Sequence, residues 1–402
     1  MIRDVRPLVA AVFIPAAIAL ASCSGGGGSG PSPATIPNTP AASAMQSTRG
    51  TATTTSSAQT PGDAGSILQT LHKITTIGST VDPINGDQNP YGLTIAPITK
   101  GLLQAGDLVI CNFNDAANVQ GNGTTIEALH PVPGSTPLHI AQNAALLGCD
   151  ALALSSGDGI WAAAFGANDN PIVSATGALV TAIASGPWHH PWGQAFSATA
   201  GPFGASGAFY ASNAGDGSIV RIDLNPGKPF AFDVIATGFP VNGGAPGSIL
   251  APSGLTYDPN GDRLYVIDGV DNSITALEHV GQIPAGGVHV SGSSFTGPFA
   301  SSARRVFAGA PLNGPISAAL LPNGNLVVGN TLDPDGTNLL VEVTPSGRVL
   351  AKRNVDKGAS GAIFGIAVSG TAGEPNNVKI YFNDDNDNTV KVLTSGEFDA
   401  KT

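Results

Sequence analysis

The chain has few charged residues and only three cysteines, and each shortage excludes a class of protein. Charged residues make up 11% of the 402 residues, and 17 Lys and Arg against 28 Asp and Glu give a formal net charge of −11. Because no basic run is long enough to follow a phosphate backbone, we expect no nucleic-acid partner. Three cysteines are too few for a disulfide-framed miniprotein, and their spacing matches no zinc site.

Glycine and proline, by contrast, are abundant. The chain contains 53 Gly and 31 Pro, and 42% of its residues are apolar. Such a composition suits short strands connected by many turns better than long helices, and it leaves enough apolar material for a core. We therefore expect an all-β protein.

The first 22 residues have the layout of a secretory signal. Arg3 and Arg6 precede a 14-residue apolar run, residues 8–21, which is too short to span a bilayer as a mature helix. The run ends in Leu-Ala-Ser-Cys at residues 20–23, which resembles the lipobox of bacterial lipoproteins. We expect residues 1–22 to be removed and Cys23 to be lipidated. An ordinary signal peptide followed by an incidental cysteine is the alternative.

Residues 23–65 read as a disordered tether. The segment is rich in Gly, Ser, Thr, Pro and Ala, lacks aromatic residues, and carries only Arg49 and Asp63 as charges. It cannot bury enough apolar surface to fold. As a flexible coil it would have an r.m.s. length of roughly 35 Å. Ser24 after the lipidated cysteine resembles Gram-negative sorting to the outer membrane, so we expect an exported protein with a lipid anchor in the cell envelope.

Beyond the tether, the sequence repeats a pattern of strand, turn and strand. The clearest copy joins residues 252–257 to residues 264–268 through a Pro-Asn-Gly turn. Five copies carry a small residue at the equivalent position, and a degenerate sixth copy over residues 150–175 fills the longest gap. The equivalent small residues are Gly92, Gly193, Gly254, Ser317 and Gly365. Six four-stranded units predict a six-bladed β-propeller over residues 66–396, with a short tail at 397–402.

This repeat resembles the six-bladed NHL-repeat and SMP-30/gluconolactonase-like propellers. The resemblance specifies architecture and says little about chemistry. Residues 72–78 are similar to the outer strand predicted at 232–238, so we expect the N-terminal segment to complete the last blade and close the ring. The sequence also departs from the lactonases, which use a Glu early in an inner strand as a metal ligand. None of the Pro-x-Gly copies here has one.

In a propeller of this kind, the starts of the inner strands and the ends of the second strands meet on one rim around the channel. The side chains expected there are Asn112, Asn213, Asn330, Asn383, Asp268 and Asp385. These oxygen donors predict a polar-ligand site, or a calcium or magnesium site with the two aspartates among its ligands. The alternative is that Asn and Asp cap turns by bonding nearby backbone N–H groups.

Residues 188–192, Trp-His-His-Pro-Trp, precede the third inner strand and are expected at the channel mouth. Trp188 and Trp192 would stack on a planar ligand, while His189 and His190 would bind metal or transfer protons. The alternative is that the aromatic rings plug the channel.

Two classes of function stay open at this point. One is a binding or scaffold module that holds a peptide, a glycan or an envelope protein. The other is a metal-dependent lactonase-like hydrolase or lyase with His189 or His190 as its base. The sequence contains no GxSxG elbow and no phosphate-binding GxxxxGK[ST] motif, so we favour the binding module.

The two remaining cysteines suggest a disulfide. Cys111 ends the second strand of the first unit, and Cys149 begins the inner strand of the next. Both should lie near the same face in an oxidising compartment, so we predict that they are bonded.

Lipidation is tested by replacing Cys23 with Ala. We expect the variant to lose labelling by radioactive palmitate and to leave the membrane fraction, because the acylated sulfur would be gone. A variant that still labels and still sediments with membranes would contradict the lipobox interpretation.

Overall fold

The computed structural model describes residues 65–198, 207–333 and 335–396. The expectations for the signal peptide, for Cys23, for nearly all of the tether and for the tail at 397–402 lie outside these residues. Within them, six antiparallel units surround a central channel, which confirms the predicted six-bladed propeller. No helix in the described ranges is long and apolar enough to cross a membrane.

The blades follow one another along the chain, and the first described strand, β1 (Lys73–Ser79), belongs to the last blade. Blade 1 contains β2 (Gln88–Ile95), β3 (Leu108–Asn114), β4 (Thr125–Leu129) and β5 (Leu138–Gln142). Blade 2 contains β6 (Cys149–Leu154), β7 (Ile160–Ala164), β8 (Ile172–Val173) and β9 (Leu179–Thr181). Blade 3 contains β10 (Pro191–Ser197), β11 (Ala208–Asn213), β12 (Ser218–Asp223) and β13 (Ala231–Thr237).

The second half of the ring contains one insertion. Blade 4 contains β14 (Pro252–Asp258), β15 (Arg263–Asp268), β16 (Ser273–Glu278) and, after a hairpin of β17 (Val288–Ser291) and β18 (Ser294–Thr296), β19 (Ala303–Ala308). The hairpin extends blade 3 through a parallel pairing of β13 with β17. Blade 5 contains β20 (Pro315–Leu320), β21 (Leu326–Asn330), β22 (Asn338–Val343) and β23 (Val349–Asp356). Blade 6 contains β24 (Ile363–Ser369), β25 (Lys379–Asp384), β26 (Thr389–Thr394) and β1.

Short 3₁₀ turns complete the regular structure of the described residues. They lie at Ala144–Leu146, Val280–Gln282, Ala300–Ser302 and Pro375–Asn377. The turn at Ala144–Leu146 is capped by the Asn143 side chain, which accepts the Ala145 N–H at 2.9 Å. Neighbouring blades pack through apolar side chains, and Cys111 and Cys149 join blades 1 and 2 in a disulfide with Cα atoms 5.8 Å apart.

The ring closes through the N-terminal segment, as predicted. Strand β1 pairs antiparallel with β26, with Lys73 opposite Thr394 and Ser79 opposite Thr389. Just before β1, the fully buried Glu342 of blade 5 accepts hydrogen bonds from Ser66 Oγ at 2.5 Å and from Leu68 N at 2.8 Å. Closure therefore combines strand pairing with a buried carboxylate that holds the segment ahead of the strand.

The N-terminal segment reaches the propeller from one of its two faces. Each inner strand begins on what we call the upper face and ends on the lower face. Asn323 lies in the turn between β20 and β21, on the lower face, and its Nδ2 donates to the carbonyl of Gly65 at 3.2 Å. The chain therefore enters the propeller at the lower face.

Ring closure predicts that deleting residues 66–80 destabilises the propeller severely. The deletion unpairs β26 and removes the donors that Ser66, Ile67 and Leu68 supply to the buried Glu342, and buried polar groups that lose partners are costly. Thermal melts of this variant should show a large fall in Tm. The matched control deletes 15 residues of the tether, 35–49, and should melt like the wild type. Equal melting temperatures for the two deletions would contradict closure by β1.

Candidate functional site in the central channel

Aromatic side chains close the upper end of the channel. Tyr91 of β2 stacks on Phe364 of β24, with ring centroids 3.6 Å apart, and on Phe113 of β3 at 4.3 Å. The Trp192 ring lies 6.0 Å from Tyr91 and is only 4% exposed. Phe165 packs edge-on against Trp192. Trp192 therefore belongs to an aromatic plug, as the second of the two alternatives predicted.

Trp188 is not at the channel mouth, which corrects the sequence-based expectation. Its indole is 4% exposed and packs in a cluster with Trp161, between blades 2 and 3. The Nε1–H donates to the carbonyl of Ile183 at 2.6 Å. The ring fits there because it lies against Gly186, where an added Cβ would approach the indole to 2.5 Å.

The two histidines do lie on the upper face. The His189 side chain is 62% exposed, and its Nε2 is 3.7 Å from a carboxylate oxygen of Asp216. The His190 ring stacks on Phe165 at 4.4 Å, and its Nδ1 is 3.1 Å from the carbonyl of that residue. The pair is therefore accessible to a partner above the plug.

Two of the predicted rim asparagines are internal caps. Asn213 is fully buried; its Nδ2 donates to the carbonyl of Pro187 at 2.9 Å, and its Oδ1 accepts the His189 N–H at 3.1 Å. Asn330 makes the corresponding bonds to the carbonyl of Pro311 and to the N–H of Asn313. Both amides therefore hold the loop that leads into the inner strand, and the expectation that they face a ligand is corrected.

The other two asparagines are also fully buried. Asn112 Nδ2 lies 3.3 Å from a carboxylate oxygen of Glu127. Asn383 Nδ2 donates across to blade 1, to the carbonyls of Tyr91 and Gly92 at 3.1 and 3.2 Å. The register pairs Ile363 with Asp384, so Asp384 and not Asn383 occupies the strand-end position. Neither amide is open to a ligand, which again corrects the prediction.

The structure does not join the two aspartates proposed as metal ligands in a cluster. Asp268 of blade 4 is buried; its Oδ1 accepts the N–H groups of Val270 and Asp271, and its Oδ2 has no partner. Asp385 follows β25 in blade 6. Burial raises the pKa of each to about 7. Within the three described ranges, no group of three or more His, Cys, Asp or Glu side chains is placed to hold a metal ion.

The acidic run at residues 383–388 carries its own counter-ion. Lys391 Nζ lies 2.6 Å from Asp384 Oδ2 and 2.9 Å from Asp387 Oδ2. Asp385 instead meets the side-chain amide of Asn89, which donates to it at 2.6 Å when the amide is oriented to satisfy both of its atoms. A bound cation is therefore not needed to balance this run.

A β-bulge at the start of every inner strand aims one side chain into the channel. The bulges lie where the pairing of β2, β6, β10, β14, β20 and β24 with its neighbour shifts register. The residues at these positions are Tyr91, Asp150, Trp192, Ser253, Ile316 and Phe364, and all six line one cavity of about 90 Å³. The ring thus converts six local irregularities into one site.

Asp150 is the one carboxylate among the residues lining this cavity. The residue is 4% exposed, and neither carboxylate oxygen has a hydrogen-bond partner. Burial raises the pKa of Asp150 well above its usual value; the N–H groups of Asp150 and Ala151 offset this only in part and do not reach hydrogen-bonding geometry. The sequence argument missed this residue, although Asp150 occupies in the degenerate copy the place of Tyr91 and Trp192.

Comparisons with known proteins establish the fold of the chain and nothing more specific. No family model matches the chain, and no protein with a curated description matches its sequence. A gluconolactonase from Xanthomonas campestris is similar in structure, with a TM-score of 0.52, 12% identity, and coverage of 80% of this chain and 89% of that chain. Virginiamycin B lyase from Staphylococcus aureus has a TM-score of 0.46 at 16% identity, covering 80% of this chain and 99% of that one.

A third similar structure is the PQQ-bound aldose sugar dehydrogenase from Streptomyces coelicolor, with a TM-score of 0.49, 16% identity, and coverage of 80% and 98%. The similarity to the gluconolactonase shows the propeller fold alone. At these identities the likeness shows a common architecture, and the chemistry of this chain has to be argued from its own residues.

Replacing Asp268 with Asn should stabilise the propeller at neutral pH. The Asn oxygen can still accept the Val270 and Asp271 N–H groups. The carboxyl has a folded-state pKa of about 7 against about 3.9 in the unfolded chain. The stability of the protein with this carboxyl is therefore greatest below about pH 4 and falls as the pH rises through 7.

The Tm difference between D268N and wild type should therefore be near zero at pH 4 and grow up to pH 8. The corresponding difference in the free energy of unfolding has an upper limit of about 4 kcal/mol, at about 1.4 kcal/mol per pKa unit. The matched control is E374Q, which neutralises an exposed carboxylate. A D268N effect that does not change with pH would contradict the assigned burial.

Proposed function

We propose that this protein is an exported, lipid-anchored binding module of the cell envelope, which holds a protein partner on its upper face. The observation that carries the proposal is the opposition of the two faces. The chain enters at the lower face, through Gly65 beside Asn323, so the proposed binding surface lies on the face opposite the point of entry.

The upper face has the mixed surface that suits a protein partner. Ile84, in the loop between β1 and β2, is 69% exposed, and Val119, in the loop between β3 and β4, is 47% exposed. These two loops touch, since a Cβ on Gly86 would lie 3.1 Å from Ala116. Exposed apolar side chains beside polar groups are a common feature of interaction sites.

The aromatic plug supports the same interpretation. Because Trp192 and its neighbours fill the upper end of the channel, a partner on this face would contact loops and exposed side chains rather than a deep cleft. His189, in the loop before β10, and Asp216, in the loop between β11 and β12, also lie on the upper face and are both partly exposed. A surface of this kind fits a folded partner better than a small molecule.

Site-specific photocrosslinking in cells tests the proposal. A photoreactive amino acid at position 84 or 119, in the otherwise unchanged chain, should produce a discrete cross-linked protein. The matched control is position 102, because Leu102 is also apolar and 43% exposed but lies in the β2–β3 loop on the lower face. Position 102 should yield no such species. Absence of adducts from 84 and 119, or equal adducts from 102, would exclude partner binding on the upper face.

A further inference from the structure

The geometry points to a second binding site inside the propeller: we propose that the central channel binds a small alkylammonium group, with Asp150 as its counter-ion. This site is separate from the exposed loops on which partner binding depends. Either proposal can therefore fail without the other.

The first argument is the set of acceptors left without partners. Both carboxylate oxygens of Asp150 lack a hydrogen bond, although the residue is only 4% exposed and lies in a bulge of the inner strand that lines the cavity. An ammonium group has three N–H donors and no acceptor, so it can donate to both unused carboxylate oxygens of Asp150.

The second argument is the aromatic lining. Tyr91, Trp192 and Phe364 border the same cavity as Asp150. Aromatic faces attract cations, and more strongly where water is excluded. A single carboxylate among aromatic rings therefore favours an organic cation over a neutral or anionic ligand.

The third argument is size and charge. A cavity of about 90 Å³ holds several water-sized groups, and so a few heavy atoms. Calcium takes six to eight oxygen ligands, usually from several carboxylates, whereas this cavity offers one carboxylate. An alkylammonium needs only one counter-charge.

The aromatic plug limits how a small ligand could reach the cavity. At the lower end of two of the six inner strands the residues are half-buried, namely Thr94 and Ile95 on β2 and Val368 and Ser369 on β24. Since the plug closes the upper end, a ligand would enter from the lower face. The Gln194 side-chain amide is paired with the side chain of Asn170, so it does not donate a hydrogen bond to Asp150.

Isothermal titration calorimetry of the full protein tests the site. The probes are methylammonium and ethylammonium for free amines, Nα-acetyl-lysine amide for a lysine side chain, and potassium and calcium chloride as inorganic cations. Saturable binding of an amine probe is expected, and D150N should weaken it by on the order of tenfold to a hundredfold.

The matched control is D158N, because Asp158 is also buried with both oxygens unpaired but is not part of the cavity lining. It should bind the amines like the wild type. Binding of the lysine derivative alone or of free amines alone supports the site and identifies its source. Binding of calcium but no amine, or equal amine affinity in wild type and D150N, would overturn the proposal.

Discussion

The structure depends on one pairing, that of β1 with β26. A propeller is stable because each blade packs between two others, and this arrangement requires the last blade to be complete. Strand β26 ends its blade with an open edge unless β1 covers it. Since β1 comes from the other end of the folded chain, a single antiparallel ladder joins the first described strand to the last one.

The ring then determines what lies at its centre. Six inner strands converge, and each has a bulge at its start. The side chain in that bulge therefore points into the channel. The same backbone position therefore holds Tyr91 and Phe364, which stack, and Asp150, which finds no partner. The isolation of Asp150 follows from the arrangement of the blades and not from its local sequence.

The sequence predicts the fold well because its signals are local and repeated. Alternating apolar residues and Pro-Asn-Gly or Gly turns occur in every blade, and the likeness of residues 72–78 to an outer strand was enough to predict closure. The site was predicted less well, because exposure depends on loops that the repeat does not describe. Asn213 and Asn330 lie at the predicted strand ends, yet the loop backbone that they cap covers them.

Strand register explains the other differences between the predicted and the observed positions of the site residues. Trp188 and Trp192 are four residues apart, but only Trp192 lies in a bulge, so it alone reaches the channel. A bulge in β24 likewise moves Asp384 into the place assigned to Asn383. Bulges insert one residue and reverse which side chain faces inward, and no propensity in the sequence marks them here.

The buried acids show what a ring of this kind tolerates. Asp150, Asp268 and Asp385 belong to alternate blades, and burial raises the pKa of all three. Asp268 retains two backbone donors and Asp385 retains the Asn89 amide, whereas Asp150 has neither. Of the three, Asp150 therefore gains most from a donor supplied from outside the protein, which is the physical reason to look for a ligand in the channel.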